Sequence, residues 1–132
     1  MIRSLPDEAE TVRLEIKRMI ASADGGDTLA EVDRLESRDG RVLYMGASLG
    51  QKISFLMQSL EIRPDWGWTL WHFPVSKRIL NEHHNMQLVP LSGNSTISQG
   101  GPLPEGFLAH ITEEELTLSP GSTVIIFMKR SS

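Results

Sequence analysis

The chain contains no cysteine. This absence excludes disulfide bonds, cysteine nucleophiles and metal sites built on thiolates. Secreted domains of this size often depend on disulfides, so the composition favours a cytoplasmic, intracellular location.

Long apolar runs and clusters of positive charge are also absent. The longest strongly apolar run, residues 124–128, has the length of a strand, whereas a membrane span needs roughly 20 residues. The N-terminal residues lack the apolar segment of a signal peptide. The formal net charge is −4 and the 13 basic residues are scattered. We therefore expect no association with a membrane and no binding to nucleic acid, which depends on clustered Lys and Arg.

The remaining composition is that of an ordinary folded domain. Hydrophobic residues make up 39% and charged residues 23% of the 132 positions. A chain of this length buries enough apolar surface for one core without metal ions or disulfides. We expect a single domain over residues 1–132, with an N-terminal helix in residues 1–26 and a sheet-containing body in residues 27–132.

The first segment has the pattern of an amphipathic helix. Ser4 and Asp7 predict an N-terminal cap, and the pair Gly25-Gly26 predicts the end of the helix. Apolar residues recur at alternating spacings of four and three: Leu5, Ala9, Val12, Ile16, Met19 and Ala23. This stripe packs either on the body of the same chain, which we favour, or on a second copy, because it keeps a heptad repeat for about three heptads. The second interpretation predicts a homodimer.

The body alternates short strands with one or two short helices. Residues 27–36 form either a short helix or, as we favour, the first strand of a hairpin that turns at residues 37–40. The predicted strands are residues 42–45, 68–73, 86–89, 107–111 and 123–128. The predicted helices are residues 53–60 and 75–84, and residues 92–106 read as a long loop. We expect residues 116–128 to form a hairpin that ends in a central strand.

These elements predict an α+β fold. An N-terminal helix is followed by a mostly antiparallel sheet, against which one or two further short helices pack.

The histidines are candidates for chemistry. His83, His84 and His110 are possible metal ligands, and His110 is also a possible catalytic residue. Adjacent His83 and His84 point in different directions on a helix or a strand, so they do not suit one ion. The stretch that ends at His110 resembles the second motif of cupins, but the first motif is missing. We therefore expect no bound metal and no cofactor.

Residues 113–122 carry a second resemblance. Glu113 and Glu115, followed by an apolar strand and a Pro-Gly turn, resemble the terminal motif of ADP-ribosyltransferases of the Arg–Ser–Glu class. The resemblance implies that Glu115 orients the ribose of NAD and that Glu113 faces the substrate. Tyr44 and Met45 match the family's Tyr-Arg-Gly strand, but Met45 stands where the family has an arginine that contacts the NAD phosphate.

The three tryptophans are clustered in six positions. Trp66, Trp68 and Trp71 bring large contact areas, and Trp is enriched at binding hot spots. On a strand, Trp66 and Trp68 lie on one side and Trp71 on the other. With Ser92 and Asn94 of the long loop, they form the predicted partner-binding surface.

These observations favour a non-enzymatic module that binds another protein. The alternative is a small ligand- or metal-binding enzyme that uses His and Glu residues, including a degenerate ADP-ribosyltransferase-like domain.

Overall fold

The structure, a computed structural model, describes residues 2–26, 31–98 and 100–129. The helices are α1 (Asp7–Asp24) and α2 (Ala47–Ser59). The strands are β1 (Ile2–Ser4), β2 (Asp33–Glu36), β3 (Val42–Met45), β4 (Gly67–Phe73), β5 (Lys77–Leu80), β6 (Met86–Pro90), β7 (Thr96–Ile97), β8 (Gly101–Pro102), β9 (Phe107–Ile111), β10 (Glu115–Leu118) and β11 (Ser122–Met128). Neither described helix is long and apolar enough to cross a membrane.

The strands form two antiparallel sheets. The large sheet has the order β1-β9-β6-β11-β4-β3-β2, and the second sheet has the order β5-β10-β7-β8. The α+β class and the N-terminal helix predicted from the sequence are confirmed.

The large sheet is the middle of three layers. In β11, Ile125 and Phe127 face the core beneath the helices, whereas Val124 and Ile126 face the core beneath the second sheet. All four side chains are buried, which explains the continuous apolar run and confirms a central strand. Successive side chains of one strand therefore contribute to different cores.

Helix α1 packs on its own chain. Ile16 and Ile20 are buried in the helix-side core, and Val12 and Met19 pack against it. The apolar stripe is therefore covered by the same chain, as the favoured interpretation predicts. The homodimer stays untested as an oligomeric state, but this stripe is not free to form it.

The start of α1 differs from the prediction. Ser4 does not cap the helix, because it belongs to β1 and is paired with Phe107 of β9. Pro6 occupies the N-cap position without a side-chain hydrogen bond. Pairing with the edge of the sheet thus takes precedence over the local capping pattern.

Two predictions for the body are wrong. Residues 75–84 were expected to be helical, but β5 lies there and pairs along its length with β10. Residues 116–128 do not form a hairpin, since β10 belongs to the second sheet and β11 to the large one. Both errors have one physical cause: contacts distant in sequence decide the pairing of short strands.

The hairpin at residues 37–40 is confirmed, with β2 paired to β3. Of the ambiguous stretch 27–36, the last four residues form β2, whereas residues 27–30 lie outside the described residues. The predicted long loop holds two short strands, β7 and β8.

Candidate functional site

The main candidate site is a groove between the large sheet and β5. Its volume is about 460 Å³, and all four residues of β5 form one wall. Arg41 also lines it, and side chains of β4 and β11 supply the remaining lining: Thr69, Trp71, Phe73, Ile126 and Met128. We call this the β5 groove.

The groove lies where the second sheet stops covering the large sheet. Leu35 is paired with Leu43, Leu43 with Trp71, and Trp71 with Val124. Directly paired residues place their side chains on the same face, so these four form one apolar row. Exposure changes along the row from 0% at Val124 to 60% at Leu35. The apolar core beneath the second sheet thus continues onto an open surface.

Trp71 is the largest side chain of the groove and is held on two sides. Its ring stacks on Phe73, with centroids 5.7 Å apart and an interplanar angle of 19°. The guanidinium carbon of Arg41 lies 5.9 Å from the Trp71 ring centroid, within the range of a cation–π contact. Both contacts restrict the motion of the indole and so favour a preformed binding surface.

The charged residues that line the groove among the described positions are all basic: Arg41, Lys77 and Arg78. Asp39 lies beside Arg41 at 3.0 Å, and Glu115 lies 3.6 Å from Arg78. A hydrogen bond from the Ser37 hydroxyl, followed by one from the Arg41 amide, lowers the pKa of Asp39 to about 2. Asp39 is therefore an anion at neutral pH and orients Arg41 at the groove.

The predicted partner-binding residues are separated by the fold. Trp66 is nearly buried in the helix-side core, and Trp68 packs against the same core. Trp68 also lines a smaller recess that shares Thr69, Ile126 and Met128 with the groove. Among the three tryptophans, Trp71 alone lines the β5 groove.

The two predicted loop residues lie elsewhere. The hydroxyl of Ser92 accepts a hydrogen bond from the Thr123 amide at 3.0 Å and lies 3.1 Å from the Ser95 hydroxyl. Asn94 is exposed. Neither residue lines the β5 groove.

The candidate metal ligands are not assembled. Among the described residues, no group of three or more His, Asp or Glu side chains could hold an ion. His110 lies 2.8 Å from the Asn85 side-chain oxygen, and His83 lines a recess beside Glu82. His84 has a left-handed backbone conformation, with a φ of 53°.

The residues that resemble an ADP-ribosyltransferase motif are also apart. Tyr44 is buried in the helix-side core, on one face of the large sheet. Glu113 and Glu115 are exposed, and Glu115 begins β10 in the second sheet, which covers the opposite face. The structure therefore does not bring these residues to a common site.

Sequence reasoning missed Arg41, Lys77 and Arg78 as site residues. Lys77 and Arg78 lie in residues 75–84, which the sequence predicted to be helical. The β-branched Ile79 between polar Arg78 and apolar Leu80 was a weak signal for a strand, but four residues are too few to distinguish the period of a strand from that of a helix.

Comparison with family models, curated proteins and solved structures found no match to this chain.

Proposed function

We propose that the protein is a binding module that recognises a segment of another protein in the β5 groove. The observation that carries the proposal is the apolar row from Val124 to Leu35, which leaves the core and becomes an open surface beside three cations. Exposed apolar surface bordered by polar groups is typical of protein interaction sites.

The composition of the groove supports this function. Trp and Arg are the residues most enriched at binding hot spots, and Arg41 and Trp71 are in contact here. An apolar centre surrounded by charged side chains matches the anatomy of transient interfaces. All four residues of β5 line the groove, which suits the binding of a peptide segment along this strand.

The test is a selection of random linear twelve-residue peptides displayed on phage against the folded chain. Selected peptides are synthesised, and their binding is followed by the indole N–H signals of the three tryptophans in ¹H–¹⁵N NMR spectra. We expect the Trp71 signal to shift most. We expect Trp71→Ala to weaken binding at least about tenfold, the loss typical of a hot spot.

Matched surface variants provide the control. Leu35 and Phe55 are similarly exposed, at 60% and 54%. Leu35 lies in the same apolar row as Trp71, whereas Phe55 lies on α2, across the large sheet. Leu35→Ser should weaken binding, whereas Phe55→Ser should leave it unchanged. Failure to select any binder, or equal effects of these two variants, would refute the groove as the interaction surface.

A further inference from the structure

We infer that the partner segment is acidic and extended, and that it adds as a strand to the free edge of β5. This inference rests on the proposed function and specifies its partner. Addition of a strand to an exposed sheet edge is a general mode of peptide recognition, in which backbone hydrogen bonds supply affinity and alternate side chains supply specificity.

Strand β5 is the terminal strand of the second sheet. It pairs with β10 on one side, and among the described residues no strand pairs with its other side. Edge strands expose backbone groups that can bind a further strand. The free side of β5 borders the groove, since all four of its residues line it.

The register shows which backbone groups are available. The Asn81 amide donates to the Glu114 carbonyl at 2.7 Å, immediately beyond the Leu80–Glu115 pair. Hydrogen-bonded and non-bonded pairs alternate in antiparallel strands, so Arg78 and Leu80 direct their amides and carbonyls away from β10.

The hydrogen bonds of the residue opposite Arg78 on β10 support this orientation of the Arg78 backbone. Thr117, which is paired with Arg78, uses its own backbone on the far side of β10. Its carbonyl accepts from the Ser98 amide at 3.1 Å, and its amide donates to the Ser98 hydroxyl at 3.0 Å. The backbone of Arg78 therefore faces the free edge.

Charge and apolar surface define the chemistry of the added strand. Lys77 and Ile79 lie on the inner side of β5, paired with buried Leu118 and Leu116, whereas Arg78 and Leu80 lie on its outer side. Inward side chains of an added strand would contact Trp71 and Arg41, and outward ones would lie beside Arg78. Apolar residues that alternate with Asp or Glu fit both environments.

The charge at the groove is opposite in sign to the charge of the chain. The whole molecule carries a formal charge of −4, yet the charged residues that line the groove among the described positions are Arg41, Lys77 and Arg78. Asp39 and Glu115 form ion pairs with Arg41 and Arg78, so these five groups together keep an excess of one positive charge. A cationic edge on an acidic protein selects an acidic segment over a basic one, and it does so most strongly at low salt.

The experiment uses three pools of fluorescent nine-residue peptides with capped ends. All contain Val, Ile, Leu or Phe at alternate positions. The other positions hold Asp and Glu in the first pool, Ser and Gln in the second, and Lys and Arg in the third. Fluorescence anisotropy at low and physiological salt measures binding. We expect the acidic pool to bind at least about tenfold tighter than the neutral pool and the basic pool not to bind.

Two variants at one position separate charge from backbone. Arg78→Ala removes the charge, and Arg78→Pro removes the same charge together with the amide that faces the free edge. Arg78→Pro should bind the acidic pool about tenfold more weakly than Arg78→Ala, because the added strand loses a backbone hydrogen bond. Arg3→Ala, on β1 at the opposite edge of the large sheet, should leave binding unchanged.

A second measurement leaves the protein unaltered. Acidic peptides are N-methylated at every second amide, at the odd-numbered amides in one set and at the even-numbered amides in the other. One set should lose binding and the other should keep it, because alternate amides of a strand face the same neighbour.

The outcomes distinguish this inference from the proposed function. If the selected phage peptides bind at Trp71 but the acidic pool shows no preference, the partner is not acidic, while a binding groove remains. If Arg78→Pro and Arg78→Ala bind the acidic pool equally, or if both sets of N-methylated peptides bind equally, no strand is added to β5. Absence of binding by the acidic pool overturns the inference outright.

Discussion

Tyr44 shows how a single side chain connects the end of a helix to the sheet. Its ring is buried in the helix-side core, and its hydroxyl donates to the Asp24 carboxylate at 2.7 Å. The guanidinium of Arg34 donates to the same carboxylate oxygen at 2.9 Å. Burial, followed by the hydrogen bond to Asp24, raises the pKa of Tyr44 to about 12.

Because Tyr44 is the sole tyrosine of the chain, its ionisation can be measured directly. We expect the absorbance change of tyrosinate to have its midpoint near pH 12 rather than at the ordinary value of about 10. A raised folded-state pKa means that this group stabilises the fold fully below pH 10 and loses that contribution between pH 10 and 12.

Asp24→Asn tests the cause of the shift. The variant removes the negative charge beside the hydroxyl, so we expect the pKa of Tyr44 to fall while burial keeps it above its ordinary value. Tryptophan fluorescence, recorded in parallel, shows whether the chain is still folded at each pH. An unchanged midpoint in the variant would contradict a role for the carboxylate.

Contacts such as the one between Tyr44 and Asp24 could not be predicted from the sequence pattern. The apolar run of residues 42–45 after the Asp-Gly turn predicted a strand that contains Tyr44, which the structure confirms. Its partner Asp24 lies 20 positions away at the end of a helix, and no periodicity connects the two. Arg41 and Lys77 both line the groove, and again no sequence pattern connects them, because Arg41 precedes β3 of the large sheet and Lys77 begins β5 of the second sheet.

At the scale of elements, residues 92–106 are more ordered than a polar loop. Leu103 is fully buried, and its amide donates to the Ser95 carbonyl at 2.8 Å. Glu105 accepts hydrogen bonds from Arg13 at 2.8 Å and from Lys17 at 2.6 Å. Because Arg13 is 2% exposed, this contact fixes the segment to α1 with a nearly buried guanidinium.

Arg13→Met should therefore loosen the segment. The substitution leaves Glu105 with Lys17 as its remaining cation, and it removes hydrogen bonds to Glu10 at 2.5 and 2.9 Å. Both carboxylates are partly exposed, so we expect a loss in the free energy of unfolding of about 2 kcal/mol, below the 3–5 kcal/mol for a fully buried pair. Hydrogen exchange at the Leu103 amide should accelerate more than exchange in β11. A uniform change across the chain would indicate that the segment is held by other contacts.

The pH dependence of stability provides a control for the Arg13→Met prediction. Burial alone would raise the pKa of Glu105, but hydrogen bonds from Lys17 and Arg13 outweigh it and hold this pKa below its ordinary value. A lowered folded-state pKa contributes stability above about pH 4.3 and loses it as the pH falls through the folded value. The difference in stability between the native chain and Arg13→Met should accordingly shrink at low pH.

The elements with the clearest sequence patterns were predicted. Helix α1 repeats apolar residues at helical spacing along its length, and β11 contains the continuous apolar run of residues 124–128. Strands β7 and β8 have two residues each, so they have no measurable period. Strand β5 was misread because its structure depends on β10, more than thirty positions later.

At the scale of the molecule, two cores share one sheet. The helix-side core and the core beneath the second sheet meet through β11, whose adjacent side chains Ile125 and Ile126 belong to different cores. Neither core can be lost without exposing one face of the same central strand. The two layers should therefore unfold together, although each is built around its own set of apolar contacts.

Ile125→Ala and Ile126→Ala test this cooperativity as a matched pair. Each variant should lower the free energy of unfolding by about 2–5 kcal/mol, the range for a buried Ile→Ala change. In both, the far-ultraviolet circular dichroism of the backbone and the fluorescence of the tryptophans should change at the same denaturant concentration. If Ile126→Ala separated the two transitions, the second sheet would be an independently melting layer. The β5 groove would then open without loss of the helix-side core, and its binding would depend on local unfolding rather than on a preformed surface.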